Sequence, residues 1–239
     1  MTLQLRNPHS VRAALLTRAS DVEEVVLGAE PGEAWASVAQ EAQALGIALR
    51  EGTSTKGGRR GSARAGAAYA TVKERAPAVL AELLAEVGPR DLFLALDQIQ
   101  DPQNVGAIFR LASFFGVRGV VMTRDRAAPL SSVAYDVASG GVETVPFVAA
   151  SNLRRALDAM REAGVWVLGT TEHAERVLDD VPRDRAWVVV LGNEEHGLRR
   201  LTLEACDETC RIPAQSDAPA VGSLNVSVAA GICLAALRR

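Results

Sequence analysis

An α/β protein built on a mainly parallel sheet is what this sequence predicts, and three features predict it. From Asp91 onward, short apolar runs alternate with helical stretches. Those runs, typified by Trp187-Val188-Val189-Val190-Leu191, are apolar at every position and not at every second one, as strands covered on both faces require. The first 75 residues hold a shorter alternation of the same kind, interrupted by a glycine-rich basic stretch.

The N-terminal third predicts a helix over 9–18, with Val11, Ala14 and Leu15 on one face. A strand follows over 22–27, a helix over 34–45 and a strand over 47–49. The stretch from Gly52 to Gly66 sets Lys56, Arg59, Arg60 and Arg64 among glycines. It reads either as a solvated loop or as an arm that contacts phosphates. A strand over 67–72 closes this unit. Residues 76–90 form a linker with Pro77, a helical patch over 78–87, and Gly88-Pro89. The larger unit then predicts strands at 92–96, 118–122, 143–148, 165–169, 186–191 and 209–212. Its helices are expected at 104–115, 131–139, 151–163, 199–206 and 224–237. The expected division is therefore 1–75, a linker over 76–90, and 91–239.

Composition narrows the class. The chain is 48% hydrophobic and 23% charged, the balance of a folded soluble domain. No apolar run reaches the roughly 18–20 residues of a membrane span, and Met1 to Pro8 has no signal-peptide pattern. A cytoplasmic protein without a membrane partner is expected. Cys206, Cys210 and Cys233 suit a reducing compartment. With no second cysteine pair or nearby histidine, no metal site is expected. Net charge is −3, divided as +2 over residues 1–75 and −5 over the rest. A nucleic acid would have to be held by local patches rather than by a general basic field.

Three segments carry chemistry. Asp101-Pro102-Gln103-Asn104-Val105-Gly106-Ala107-Ile108-Phe109-Arg110 lies where a strand hands over to a helix. Asn104 is read as the helix cap, and Arg110 is two turns on, able to reach a ligand over the sheet edge or to pair on the surface. Leu191-Gly192-Asn193-Glu194-Glu195-His196-Gly197-Leu198 follows a buried strand. Its glycines permit close backbone approach, and His196 is a weak candidate base. Ile212-Pro213, then Ser223-Leu224-Asn225-Val226-Ser227-Val228-Ala229-Ala230-Gly231, introduces a last apolar helix whose N-terminus offers unpaired N–H groups. All three follow strands and so gather on one side of a sheet. No G-x-G-x-x-G follows the first strand of this unit, which disfavours a dinucleotide site.

The ordered set N-x-G-A-I-x-R, G-x-E-x-x-G-L and I-P…S-L-N-V-S-V-A over residues 91–239 resembles the SpoU (TrmH-type) branch of the SPOUT RNA methyltransferases, and within it the bacterial 23S rRNA guanosine-2′-O-methyltransferase type. The N-terminal third resembles, more weakly, the small ribosomal-protein-like substrate-binding domain of the rRNA members. The resemblance implies a C-terminal segment threaded as a deep trefoil knot, an arrangement otherwise nearly absent from proteins. It implies a homodimer with the active site completed across the interface, an RNA substrate (rRNA first), and S-adenosylmethionine lined by Gly192, Ile212 and Leu224 with Thr170 nearby. The connection Ala214 to Gly222 is longer than in close relatives, and Glu195-His196 is unusual in the second motif.

A ribose 2′-OH needs deprotonation or strong polarisation before it attacks a methyl group. The site must therefore position it and stabilise the developing alkoxide. Arg110 is expected as a cation, since a guanidinium stays protonated and makes a poor base. Asn104 and Asn225 are expected to hold Arg110 and the ribose, with Ser223 nearby, and Glu194 to anchor its loop or position Arg110. Competing readings are the same chemistry on tRNA or on an rRNA nucleotide linked to antibiotic resistance, a non-catalytic RNA-binding SPOUT protein, and an unrelated nucleotide-binding α/β protein.

Overall fold

The computed structural model of the chain describes residues 1–52, 68–214 and 222–238. Lys56, Arg59, Arg60 and Arg64 lie outside the described residues, as does most of the long connection before Ser223. The N-terminal part runs β1 (Thr2–Leu5), α1 (Pro8–Arg18), β2 (Val22–Leu27), α2 (Glu33–Ala44), β3 (Ala48–Glu51) and β4 (Tyr69–Lys73). Its four strands lie in the order β1-β4-β2-β3. Strands β1 and β2 flank β4 in antiparallel fashion, while β3 pairs parallel to β2.

A short helix α3 (Leu80–Leu83) leads to the larger unit: β5 (Leu92–Leu96), α4 (Pro102–Phe114), β6 (Gly119–Thr123), α5 (Ser132–Ala138), α6 (Gly141–Thr144), β7 (Phe147–Ala150), α7 (Leu153–Glu162), β8 (Trp166–Thr170), β9 (Trp187–Leu191), α8 (Arg200–Leu203), β10 (Glu208–Cys210) and α9 (Val226–Leu237). Its six strands are parallel throughout, in the order β10-β8-β9-β5-β6-β7. The sheet explains the uniformly apolar strands. Leu92, Leu94 and Leu96 with Trp187, Val189 and Leu191 enter the core shared with α4, α5 and α9. Phe93, Ala95, Val188 and Val190 face the opposite core beneath α3 and α7.

Four sequence expectations are corrected. Strand β1 was not anticipated: four residues carry little pattern of their own, and this strand is held by pairing with β4, far along the chain. The strand expected at 143–148 is instead helix α6 followed by β7 from Phe147. Ser139 (φ 49°) and Gly140 (φ 98°) turn the chain there, and Glu143 is drawn into the interior by an arginine. The helices expected over 78–87 and 199–206 shrink to Leu80–Leu83 and Arg200–Leu203. The last helix begins at Val226 rather than 224.

The two sheets are joined through α5 and α6. Asp136 Oδ1 accepts from the N–H groups of Arg6 and Asn7, both at 2.9 Å. The hydroxyl of Ser10 donates to the Tyr135 carbonyl at 2.6 Å. Arg18 binds Glu143 through Nε and Nη2, each at 2.7 Å, and the Glu143 side chain is fully buried. Losing one partner of such a pair costs about 3–5 kcal/mol, because the other charge is stranded.

Close helix packing needs glycine at Gly106: a Cβ there would lie 2.5 Å from the Ala134 carbonyl oxygen and 2.8 Å from Val137 Cβ. Gly106→Ala should therefore destabilise by about 1–3 kcal/mol, although alanine is the better helix former by about 1 kcal/mol. Denaturant unfolding checks this, and a stabilised variant would refute the packing account. Asp136 yields a pH prediction. Burial holds its carboxyl above the usual range, against the lowering by the Asn7 and Arg6 N–H groups. A raised carboxyl contributes stability below its unfolded pKa that is lost as pH rises through the folded value. Asp136→Asn keeps an oxygen for both N–H donors, so it should equal or exceed the parent in melting temperature at pH 7. That margin should shrink towards about pH 4, the ordinary carboxylate range.

Candidate active site

The site lies at the carboxyl edge of the six-stranded sheet, where three loops meet. After β5 the chain passes Gln98 in the left-handed region (φ 61°), a strained conformation for a non-glycine residue. It then enters α4 through Asp101. Asp101, not Asn104, is the cap: its carboxylate accepts from the Gln103 N–H at 2.8 Å, with Pro102 opening the helix. Asn104 sits inside the first turn, buried, with its amide turned to the two other loops.

The loop after β9 folds on itself. Asn193 and Gly197 exchange backbone hydrogen bonds at 2.9 and 3.0 Å. Asn193 Oδ1 accepts from the N–H groups of Glu195 and His196, while its Nδ2 donates to the Gln98 carbonyl at 2.9 Å. Gly192 is required here, since a Cβ would meet the Gly197 carbonyl carbon at 2.3 Å. The turn projects Glu194 onto the first motif. Its Oε1 accepts from Asn104 Nδ2 at 2.9 Å, and its carboxylate lies 3.3 and 3.4 Å from the N–H groups of Gln100 and Asp101.

The third loop delivers Asn225, which caps α9. Its Oδ1 accepts from the Ser227 N–H at 2.9 Å, the Ser227 hydroxyl at 2.6 Å and the Val228 N–H at 3.4 Å. Its Nδ2 donates to Asn104 Oδ1 at 2.9 Å. Asn225, Asn104 and Glu194 thus form one chain of hydrogen bonds across three segments.

Arg110 is exposed and has no hydrogen bond or ion pair among the described residues. It lines a cleft of about 330 Å³ between α4 and α9, with Ala107, Leu111, Ser227, Val228 and Gly231. Neither Asn104, Asn225 nor Glu194 holds it. The three residues hold one another, and Arg110 is left open to a ligand. Ser223 is exposed and makes no hydrogen bond with the described residues.

Thr170 is the last residue of β8, and Gly192 and Ile212 follow its neighbours β9 and β10 at the same edge. The Thr170 hydroxyl donates to the Val190 carbonyl at 2.9 Å. Ile212 is half-buried against the core, while Leu224 is 49% exposed. His196 is exposed and faces only Glu195, at 3.9 Å, so nothing orients it as a base. Burial pushes the thiols of Cys206 and Cys210 up to about 12, which keeps them neutral and unreactive. Among the described residues no cluster of histidine, cysteine and carboxylate side chains could hold a metal ion, and no helix is long and apolar enough to cross a membrane. Sequence reasoning missed Asn193 as the residue that closes the turn, although an asparagine beside a glycine is a turn signal.

A parallel α/β sheet with its polar residues gathered at one carboxyl edge defines a ligand-binding α/β protein of the switch-point kind. The model of the SpoU rRNA Methylase family matches residues 91–235, and the chain belongs to that family. It is 47% identical over 169 residues to the 23S rRNA (guanosine-2′-O-)-methyltransferase RlmB of Nitrosomonas europaea, covering 71% of this chain and 64% of that protein. It is 44% identical over 148 residues to the protein of the same name from Coxiella burnetii, covering 62% and 58%. The matched part thus spans less than two thirds of these relatives. In fold, it is similar to the SpoU methyltransferase AviRb of Streptomyces viridochromogenes in complex with AdoMet, at TM-score 0.77 and 20% identity over 99% of this chain and 89% of that one. An AdoMet-bound rRNA methyltransferase of Sinorhizobium meliloti gives 0.76 and 23%, over 99% and 87%.

Asn104→Asp tests the relay. It keeps the oxygen that accepts from Asn225 but removes the donor to Glu194 and sets two carboxylates together. A loss of about 1–3 kcal/mol is expected at pH 7. The crowded pair has a raised pKa, so part of the loss should return on acidification. Unfolding curves at pH 7 and 5 check this, and a loss independent of pH would count against the contact.

Proposed function

We propose that this chain is an S-adenosylmethionine-dependent RNA methyltransferase acting on a ribose 2′-oxygen, with 23S rRNA as its substrate. The observation that carries the reading is the Asn225–Asn104–Glu194 relay beside an unpaired Arg110. It joins the three family motifs at one edge and leaves the Arg110 cation, unpaired among the described residues, open to an anionic or polar ligand. The names of the relatives at 44–47% identity support the substrate.

The residues expected to hold the cofactor suit it. Thr170 ends β8, and Gly192 and Ile212 lie just past the adjacent β9 and β10, while Leu224 offers a half-exposed apolar side chain. When bound, S-adenosylmethionine supplies a methyl group on a sulfonium, already activated for displacement. Arg110 orients the target phosphate and stabilises the oxygen as it gains negative charge. Asn104 and Asn225 fix the start of α9 against α4 and so keep the cleft walls in register, with Ser223 close to the ribose. Glu194 anchors the second loop to the first. No metal is required, and activity should survive a strong chelator.

Residues 1–75 form the RNA substrate-binding domain, 76–90 the linker and 91–239 the methyltransferase domain. A separate four-stranded sheet supports this division. Lys56, Arg59, Arg60 and Arg64 contact phosphates. The C-terminal segment passes through a trefoil knot. The family resemblance supports this, as does the packing of α9 against α4 and β9 after β10 has joined the far edge of the sheet. The protein works as a cytoplasmic homodimer. Phe114 (82% exposed), Val228 and Ile232 present apolar surface on the two helices that wall the cleft, so a second copy covering them would also close over Arg110.

Arg110→Ala should abolish methyl transfer while leaving S-adenosylmethionine affinity near that of the parent, measured by calorimetry. An equal loss of affinity would overturn the role given to Arg110. Ribose-methylation mapping of total RNA with and without the protein tests the substrate. A lost mark in 23S rRNA is expected; a lost mark in tRNA would move the substrate, and an unchanged map would favour a non-catalytic RNA-binding role.

A further inference from the structure

The second loop reaches the first through contacts of unequal strength. Glu194 is exposed, and water can replace its bonds to Gln100 and Asp101 at small cost, whereas the buried Asn104 amide would be left unpaired. Its 193–197 turn is closed on itself, so it moves as a unit. Asn193 ties that unit to the Gln98 carbonyl at one point, and a second hold, at the ends of the loop, sets the angle at which it meets α4.

Asp97, the residue after β5, is fully buried. Arg199, the residue where the second loop ends, donates to it twice: Nε to Oδ1 at 2.6 Å and the backbone N–H to Oδ2 at 3.1 Å. The Asp97 N–H in turn donates to the Leu191 carbonyl at 2.9 Å, where the same loop begins. Asp97 therefore grips both ends of the loop. A fully buried carboxylate cannot trade this partner for water, so opening the pair is far costlier than opening the Glu194 contacts.

We infer that Asp97 and Arg199 are positioning residues for the site: the hold of Arg199 on the buried Asp97 carboxylate fixes the 192–198 turn at the angle that brings Glu194 onto Asn104. Neither residue touches the cleft. They act through Glu194 and Asn104, and this inference rests on the methyltransferase reading only for its kinetic consequence.

The test uses the full chain. The Asn104 side-chain amide resonance, assigned by its absence in Asn104→Asp, reports the contact without any activity. In Arg199→Gln it should move towards its position in Glu194→Ala. Methyl transfer to rRNA should fall roughly 100-fold in kcat, the scale of a displacement of about 1 Å at a reacting group. In a Glu194→Ala background, Arg199→Gln should cost nothing further, because the two act through one contact. An unmoved Asn104 resonance, or losses that simply multiply in the double variant, would overturn the inference. If Arg199→Gln fails to fold, Arg199→Lys keeps a charge opposite Asp97 and carries the same measurements. A wild-type protein that methylates no RNA would defeat the proposed function, while the resonance would still decide the clamp.

Discussion

The amide of Asn104 is the contact on which the site depends. One end donates to Glu194 and the other accepts from Asn225. Only a side chain with a donor and an acceptor at opposite ends of one planar group can do both. A carboxylate repels Glu194, a hydroxyl is too short to span the gap, and an apolar residue leaves two polar groups unpaired. Buried at the start of α4, the amide turns three loops that are about 100 to 300 Å from one to the next along the extended chain into one wall of a cleft.

The parallel sheet makes that convergence possible. Every strand of the larger unit points the same way, so every loop that follows a strand emerges at one edge. The order β8-β9-β5 places the second motif directly beside the first. The last helix then packs against α4 and brings Asn225 within reach. The N-terminal sheet is fastened through α5 and α6, where a buried Arg18–Glu143 pair and the Asp136 cap over Arg6 and Asn7 add to an apolar core that runs from Leu5, Val11 and Leu15 to Tyr135, Ala138 and Val142. Polar fastening of this kind gives a defined angle, since hydrogen bonds are directional and apolar contact is not.

Much of this was legible in advance, and the failures have identifiable causes. The strands ending at Leu96 and Leu191 announced themselves because a strand covered on both faces has no polar position to blur it. The segment around Gly141-Val142-Glu143-Thr144 was misread because valine and threonine favour strands, while the deciding events, two left-handed residues and the pull of Arg18 on Glu143, lie outside the window. Asn104 was misplaced as a cap although Asp101-Pro102 carries the stronger signal, a capping carboxylate followed by proline at the first helical position. The expected partnership of Asn104 and Asn225 with Arg110 failed for a related reason. Residue type suggests what can bond, but the helix phase decides where it points, and Arg110 faces α9 across the cleft.

By itself the sequence determined the α/β class, the parallel strands other than the misread stretch at 143–148, and the three segments that carry polar chemistry, because hydrophobic pattern and turn chemistry act over a few residues and are written locally. The tertiary structure alone decided which of those polar groups bind one another, that Arg110 is left unpaired among the described residues, and that Arg199 reaches the buried Asp97. Those outcomes turn on directions and distances between side chains about a hundred residues apart, which exist only once the sheet has brought its strand ends together.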